Sequence, residues 1–454
     1  MGVLVASLCF VLVVVVILTL LHLTGRRERV MTPILLFVGI EVAAVWLPLL
    51  PTESSVMAEA GPFPALLAAV SLLLAVVAYV LLGGQGAPAT NWRAAVSSPT
   101  SSELRSLRIG LTLLVGMLTG LAVYRFGGLP PMLTGGISSL LDPVMNAEQA
   151  TLIRETRRSL TKGQLIGEAY SGQGIFNAAS EVGWQISVAG AVLYWSWART
   201  RGSAWGLAVV AVLAFAILGS AGARAPLLFC GIAAAAALAL RFRPTTRQLV
   251  AAGCVAAVLA LLIMPLSKGA AAGVSVTERA SALVERISNG NGRNNAEIVR
   301  LIDIGSLDIA EGELFVERAE AMIPGISPTD PFALRVTRLA YGSTERTTGY
   351  STPTQFGLLY ADGGPLVVLL GYMLSGGLLA VLWRQIARLR SPAGALVAVQ
   401  GSILLGYLSV TGIHGLIANG AVAALLVLVA AGPAGWSRLS RTLLRRAEAT
   451  SPAA

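Results

Sequence analysis

The sequence predicts an all-α polytopic membrane protein with about eleven transmembrane helices and two long extracytoplasmic loops. The mean hydropathy is +0.74, and charged residues make up only 12% of the 454 residues. The apolar runs are continuous and roughly 17–25 residues long, which suits helices that cross a bilayer and not the alternating strands of a membrane β-barrel. Basic residues are concentrated in every second loop, the pattern that cytoplasmic loops show.

The apolar runs define the predicted spans. The first run lacks a basic start and a small-residue cleavage site and is followed by Arg26, Arg27 and Arg29. We therefore expect it to be retained as a span and not removed as a signal peptide. The eleven runs cover about 3–23, 32–50, 64–83, 108–125, 173–198, 204–220, 224–240, 248–267, 357–383, 394–412 and 414–432.

Loop charge predicts the orientation of these spans. One alternate set of loops carries 18 basic and three acidic residues, whereas the other carries 15 basic and 18 acidic residues. This segregation predicts multi-pass insertion in a membrane, with an extracytoplasmic N-terminus and a cytoplasmic C-terminus. Since topology explains the net charge of +10, nucleic acid is not an expected partner.

The spans and loops divide the chain into five segments. The first long loop includes an amphipathic helix that we expect at the membrane interface. The second long loop has apolar positions at helical spacing, which predicts a folded cap. The segments are 1–125 with spans one to four, 126–172 with the first long loop, 173–267 with spans five to eight, 268–356 with the cap, and 357–454 with the last three spans and a basic tail.

Residues 335–364 join the cap to an apolar span and form the main candidate site. Charged, hydroxyl and aromatic residues crowd at this membrane boundary, which favours a site for a charged or sugar-like ligand. Glu345 is a candidate general base, with Asp362 as a further carboxylate and His414 as a second possible base. Ion pairs with arginines, or a hydrogen-bonded core histidine, are the structural alternatives. The candidate binding residues here are Arg335, Arg338, Arg346, Tyr350, Thr352, Gln355 and Tyr360.

Further candidate binding residues lie elsewhere. Arg224 occupies a tight extracytoplasmic hairpin, where it could form two hydrogen bonds to a phosphate or extend to lipid head groups. Glu181 lies within a span, where a carboxylate is costly, so we expect it to contact an acceptor or brace an arginine. Arg154, Arg157 and Arg158 lie on the amphipathic helix, where they could line a groove that binds an anion or form a solvated basic face.

The sequence gives no indication of a metal or cofactor site. Walker A, HExxH and GxSxG motifs are absent, and no Asp-x-Asp pair occurs. Cys9, Cys230 and Cys254 all lie within apolar spans, which predicts packing roles and not a disulfide framework or thiolate metal site. We therefore expect chemistry without metal or cofactor.

Three segments resemble the bacterial oligosaccharide repeat-unit polymerases, the O-antigen polymerase (Wzy-type) family. The resemblance implies a GT-C-type membrane glycosyltransferase that is inverting and metal-independent. Such an enzyme transfers a growing glycan from undecaprenyl diphosphate to an incoming lipid-linked repeat, alongside other polysaccharide-assembly membrane proteins. The arginines would then stabilise the leaving diphosphate. The segments are Phe126-Gly127-Gly128-Leu129-Pro130, Gly219 to Arg224, and Ser351-Thr352-Pro353-Thr354-Gln355-Phe356-Gly357 with Gly363-Gly364.

The general base and the function class have alternatives. The late extracytoplasmic loop has no histidine, which the related ligases carry there, so Glu345, Asp362 and His414 all stay candidates. The competing classes are a transporter or flippase of a lipid-linked anionic glycan, a glycan ligase, and a structural membrane protein. A transporter predicts polar groups through the span midplanes, whereas the charged residues here gather in extracytoplasmic loops, which favours an enzyme.

Overall fold

The computed structural model describes residues 8–16, 19, 32–46, 49, 61–83, 99–134, 173–221, 224–242, 291–320, 332–341, 353–386, 389 and 391–450. Helices and turns make up this part of the chain, and it contains no strand. Five of its helices are long and apolar enough to cross a membrane. The prediction of an α-helical membrane protein is confirmed at this level.

Most of the described helices follow the apolar runs, whereas three lie in the predicted cap and one short helix lies in the first long loop. A π-helical turn, Val42–Trp46, continues the first of them. The helices are α1 Pro33–Glu41, α2 Phe63–Leu81, α3 Ser101–Phe126, α4 Pro131–Thr134, α5 Gln173–Ala198, α6 Arg201–Ser220, α7 Arg224–Arg241, α8 Asn291–Asp303, α9 Glu313–Glu320, α10 Phe332–Tyr341, α11 Gln355–Ile386, α12 Pro392–Gly406 and α13 Leu408–Thr450.

The predicted spans differ in how fully the helices match them. α2, α3, α6, α11 and residues 415–432 of α13 have the length and composition of membrane spans. The apolar helices at 33–46, 226–241 and 392–406 are shorter. α5 covers the run at 173–198, and the first run is helical at residues 8–16. The run at 248–267 lies outside the described residues.

Local sequence signals account for both ends of α3. Thr100 and Glu103 form a reciprocal capping box, in which each side chain accepts a hydrogen bond from the other residue's backbone N–H. At the other end, Gly127 adopts φ 66°, the left-handed conformation that commonly terminates helices. The segment Phe126 to Pro130 therefore ends one helix and leads into α4, which gives this glycine motif a structural role.

Close glycine contacts fix the directions of neighbouring helices. Gly376 of α11 lies against the backbone of Ala75 in α2, and Arg384 reaches Gly83 further along, so these two helices run parallel. Gly183 and Gly190 of α5 pack on Leu118 and Leu111 of α3 in reverse order, so that pair is antiparallel. α5 also packs against α6, α7, α12 and α13, which makes it the centre of the described bundle.

The described part of the predicted cap consists of α8, α9 and α10. α8 packs against α10, against α11 and against the π-helical turn after α1. α9 packs against α11 and α13. The helical spacing of apolar residues in this loop predicted a folded cap, and α8, α9 and α10 are its described helices. The cap therefore contacts the beginning of α11 directly.

Candidate functional site

α11 reverses direction near its beginning. Gln355 Nε2 donates a hydrogen bond of 2.7 Å to Ser375 Oγ, although twenty residues of straight helix would separate them by about 30 Å. Leu359 packs on Gly371 in the same antiparallel order. The reversal occurs at Gly363 and Gly364, whose backbone angles are not helical, just before Pro365. The chain therefore forms a short arm, residues 355–362, which lies alongside a long arm, residues 365–386.

This hairpin refines the predicted span at 357–383. The long arm still has about the length that a bilayer requires. Gly364 has φ 68°, a conformation that a side chain disfavours, so the Gly-Gly-Pro sequence suits the turn. The short arm carries Gln355, Tyr360 and Asp362, three of the candidate site residues, and places them between α8 and the long arm.

Two pairs of side chains join α8 to the short arm. Asn295 Nδ2 donates to Thr354 Oγ1 at 2.8 Å, and Thr354 N donates to Asn295 Oδ1 at 3.2 Å. Both residues are fully buried. Further along the same two elements, Tyr360 Oη donates to Asp303 Oδ1 at 3.4 Å. These hydrogen bonds, near the beginning and at the end of α8, hold this helix alongside the beginning of α11.

Asp362 begins the next helix of the cap. Its Oδ1 accepts the backbone N–H of Gly312 at 2.9 Å and that of Leu314 at 3.3 Å. In addition, Ala310 N donates to Ala361 O at 2.8 Å. A carboxylate that accepts the free N–H groups at a helix start stabilises that helix. This geometry gives the candidate catalytic residue Asp362 a structural task.

The arginines of α10 lie toward the outside of the cap. Arg335 forms an ion pair with Glu317 at 3.5 Å and lies over the Phe332 ring, 5.7 Å from its centroid, with 38% of its side chain exposed. Glu317 also accepts the backbone N–H of Phe332 at 2.9 Å. Arg338 lies further along α10 and is exposed. Arg335 therefore takes part in an ion pair within the cap.

A second polar cluster lies inside the helix bundle, around Glu181 of α5. Glu181 is within electrostatic range of Arg125 on α3, Cys230 on α7 and Tyr407 after α12. The Tyr407 ring packs edge-on against Phe229, with centroids 4.7 Å apart. The structure therefore brings together residues from four separate parts of the chain.

The cluster continues along α5 and α12. Gln400 Nε2 donates to Gln185 Oε1 at 2.9 Å, and both residues are buried. The sequence pointed to Glu181, with Gln185 near it on the same span, but not to Arg125, Tyr407 or Gln400, the partner of Gln185. Each missed residue sits in an otherwise apolar segment, and polarity within a span was the available signal. Their partners are too distant in sequence to be paired without the fold.

Arg224 is the first residue of α7, six residues before Cys230, so its backbone lies about 1.7 helical turns from that member of the Glu181 cluster. Its side chain is outside the described set, as is that of His414, two residues after the Gly412 kink in α13. The remaining predicted residues lie wholly outside the described ranges: Arg154, Arg157, Arg158, Glu345, Arg346, Tyr350 and Thr352.

Within the described ranges, no three His, Cys, Asp or Glu side chains are grouped so that they could hold a metal ion. Comparisons with protein-family models, with curated proteins and with solved structures give no match to this chain. The resemblance to the repeat-unit polymerases therefore depends on the quoted sequence motifs alone.

Proposed function

We propose that this chain is a membrane glycosyltransferase that polymerises undecaprenyl-diphosphate-linked oligosaccharide repeat units on the extracytoplasmic face of a bacterial plasma membrane. The observation that carries this proposal is the position of the intramembrane carboxylate Glu181 on α5, a helix that packs against both α3 and α7. Arg125 on α3 is within electrostatic range of Glu181, and Arg224 begins α7. The reaction is inverting and needs neither metal nor cofactor.

The chemistry of the reaction matches this combination of charges. When the glycan leaves undecaprenyl diphosphate, negative charge develops on the diphosphate, and fixed cations stabilise it. Arginine suits this task because its planar guanidinium can donate two parallel hydrogen bonds to phosphate oxygens. We assign the leaving group to Arg224 with Arg125, while Arg154, Arg157, Arg158, Arg335, Arg338 and Arg346 stay as further candidates for anion contacts.

The acceptor sugar needs a group that orients and deprotonates its hydroxyl. In this proposal Glu181 orients the acceptor or braces Arg125. The proposed base is Glu345, with His414 as the second candidate, because Asp362 Oδ1 already accepts two backbone N–H groups of the cap. Tyr350, Thr352, Gln355 and Tyr360 complete the proposed glycan-binding set. Of these, Gln355 donates to Ser375 and Tyr360 donates to Asp303, so both also stabilise the arm.

The architecture proposed for this enzyme has eleven spans, GT-C-like packing, an extracytoplasmic N-terminus and a cytoplasmic C-terminus. Helix directions support this order: α2 and α11 run parallel, whereas α5 runs antiparallel to α3. In the eleven-span order, α2 and α11 are spans three and nine and cross in the same direction. α3 and α5 are spans four and five and cross in opposite directions. Membrane lipids and other polysaccharide-assembly membrane proteins are the proposed partners.

A transporter or flippase for a lipid-linked anionic glycan is the second candidate. Buried polar side chains within apolar helices favour it: Glu41 contacts Tyr372, and Gln185 contacts Gln400. A broken helix such as α11 is also a feature of many transporters. A glycan ligase would share the enzyme's site and differ only in its acceptor.

The deciding experiment is the length profile of surface glycan in cells that lack this chain. Loss of long chains, with single-repeat products retained and length restored by the gene, is the expected result. Accumulation of unflipped lipid-linked repeats inside the membrane would identify a transporter instead. If this chain is a ligase, cells that lack it would keep the polymer on its lipid carrier and would have no glycan on the final acceptor.

A further inference from the structure

Glu41 is a carboxyl group in the apolar interior of the helix bundle. It ends α1, where the helix widens into the π-helical turn Val42–Trp46, and its exposure is 0%. π-helical turns inside α-helices occur often at functional sites. Glu41 Oε1 accepts a hydrogen bond of 2.5 Å from Tyr372 Oη on the long arm of α11, and Tyr372 is also fully buried.

No basic side chain pairs with Glu41 among the described residues. Its second oxygen, Oε2, has no hydrogen-bond partner there. An ionised carboxylate without a cation would cost several kcal/mol in such an environment. The carboxyl group therefore needs a positive charge from another source, and a bound proton is the smallest that fits a closed, fully buried position.

A second buried acceptor without a partner lies on α11, the helix that supplies Tyr372. Gln355, 2% exposed, donates to Ser375, but its own Oε1 has no partner in the described part of the protein. Ser375 and Tyr372 are three residues apart on one helix, so they lie on neighbouring turns of the same face. With Glu41 ionised, Oε2 and Gln355 Oε1 are two unmatched acceptors, whereas a proton on Oε2 supplies a donor to this region.

The other titratable groups on the surrounding helices are few. α12 has none, and α2 has only Tyr79, one turn beyond the Ala75 that packs on Gly376. α8 carries Arg293, Glu297, Arg300 and Asp303, of which Glu297 pairs with Arg300. α11 has Tyr360, Asp362 and Arg384 besides Tyr372, and α9, which packs against it, carries Glu313, Glu317, Arg318 and Glu320. α13, which packs against α1, carries His414, the arginines from Arg438 onward and Glu448.

We propose that Glu41 and Tyr372 form an intramembrane proton-binding site, in which Glu41 holds a proton at neutral pH and Tyr372 orients it. α8 contacts the π-helical turn of α1 and is hydrogen-bonded to Thr354 at the start of α11. The cap therefore bridges the two helices that supply the site and closes it on that side. Release of the proton to water requires this side to open.

Infrared difference spectroscopy on the full-length protein in lipid nanodiscs tests the site. The wild type should show the carbonyl stretch of a protonated carboxylic acid at neutral pH, and Glu41→Gln should remove it. Tyr372→Phe should move the band to higher frequency, because the carbonyl loses a hydrogen bond. Glu103→Gln, which alters a buried glutamate of a capping box, should leave the band unchanged. Absence of a Glu41 band at neutral pH would overturn the proposal.

Two further measurements identify the cation at Glu41 if it is not a proton. A band that is absent in the wild type but present in His414→Gln would mean that Glu41 is ionised and paired with a charged histidine. A band that is absent in buffer containing Na⁺ and appears only when Na⁺ is removed at constant pH would assign the site to a metal cation. Both results would refute the proton site. Because none of these measurements needs glycan transfer, they do not depend on the proposed function.

Closure by the cap has its own measurement. The exchange of the Glu41 proton for deuterium should be slow in the wild type and several-fold faster in Asn295→Ala, which loses the contact between α8 and Thr354. Ser102→Ala, at the far end of α3, is the control and should exchange like the wild type. Equal rates in Asn295→Ala and the wild type would refute closure by the cap.

Discussion

Asp362 accepts the backbone N–H of Gly312 at 2.9 Å, so the residue that precedes the reversal of α11 also holds the beginning of α9. The same oxygen accepts from Leu314 at 3.3 Å. A carboxylate in this position connects the membrane hairpin to the cap. This relationship gives Asp362 a capping role, which differs from both the proton transfer and the ion pair considered from the sequence.

Asp362→Asn should retain glycan polymerisation, whereas Asp362→Ala should lower stability by about 1 kcal/mol through loss of the cap. Asparagine keeps an oxygen that can accept both backbone N–H groups but cannot act as a base. Thermal unfolding of the purified variants and glycan length in complemented cells give the two readouts. If Asp362→Asn folds normally and makes no polymer, Asp362 acts as a base and the structural role is insufficient.

Asn295 and Thr354 should be energetically coupled. Asn295→Ala leaves the backbone N–H and hydroxyl of Thr354 without a partner in a buried place, which costs roughly 1–3 kcal/mol. In a double-mutant cycle, Asn295→Ala and Thr354→Ala together should cost less than the sum of the single changes, by about 0.5–3 kcal/mol. Denaturant unfolding of the purified variants measures each corner of the cycle.

The control for this cycle is Thr112→Ala, an exposed position on α3 that hydrogen-bonds within its own helix. Its effect should add to that of Asn295→Ala within about 0.5 kcal/mol. Additivity for the Asn295 and Thr354 pair as well would mean that the cap does not depend on this contact.

Gly110→Ala should disrupt the packing of α3 against α13. A Cβ at Gly110 would collide with the backbone carbonyls of Val429 and Ala430, which cannot move aside as a flexible side chain can. Overpacking of this kind costs about 1–3 kcal/mol. Gly116→Ala is the matched control on the same helix, because nothing lies within 4 Å of its Cβ. Thermal unfolding should rank Gly110→Ala below wild type, with Gly116→Ala equal or higher; equal stability of the two variants would contradict the packing.

Hydropathy was the basis for predicting most of the membrane helices, because burying apolar side chains in lipid constrains the length and composition of a span. It could not show the reversal of α11, since residues on both sides of Gly363 are apolar enough to continue one helix. The Gly-Gly-Pro sequence is a turn signal that could have been used. Gln355 is a second signal, because its polar side chain is unfavourable against lipid and needs a partner inside the protein.

The candidate site was harder to predict, because its pairs are formed by tertiary packing. Glu181 could be selected by its cost inside a span, but its neighbours Arg125 and Tyr407 come from other helices. Glu41 and Tyr372 are separated by 331 positions in sequence. A single sequence contains no information on which of many apolar helices will pack together, so such pairs follow only from the fold.

A chelator should not change polymerisation by this protein. Guanidinium groups supply the positive charge in the proposed mechanism, so removal of divalent ions takes away nothing that the transition state needs. The measurement is chain extension of a lipid-linked repeat by purified protein, with and without EDTA. Activity that EDTA abolishes and a divalent ion restores would replace the arginine mechanism with a metal-dependent one.

Arg224→Ala should abolish long glycan chains while leaving the amount of inserted protein unchanged. Arg224 begins α7, and loss of its guanidinium removes charge stabilisation from the leaving diphosphate. Arg224→Lys should restore only part of the activity, because an ammonium group cannot form the paired hydrogen bonds of a guanidinium. Arg241→Ala is the matched control, since Arg241 ends the same helix and lies at the opposite end from the proposed site. Glycan length and membrane protein level in complemented cells distinguish the outcomes: normal polymer in Arg224→Ala would remove this residue from the mechanism, whereas equal loss in Arg241→Ala would indicate that α7 needs both charges for insertion.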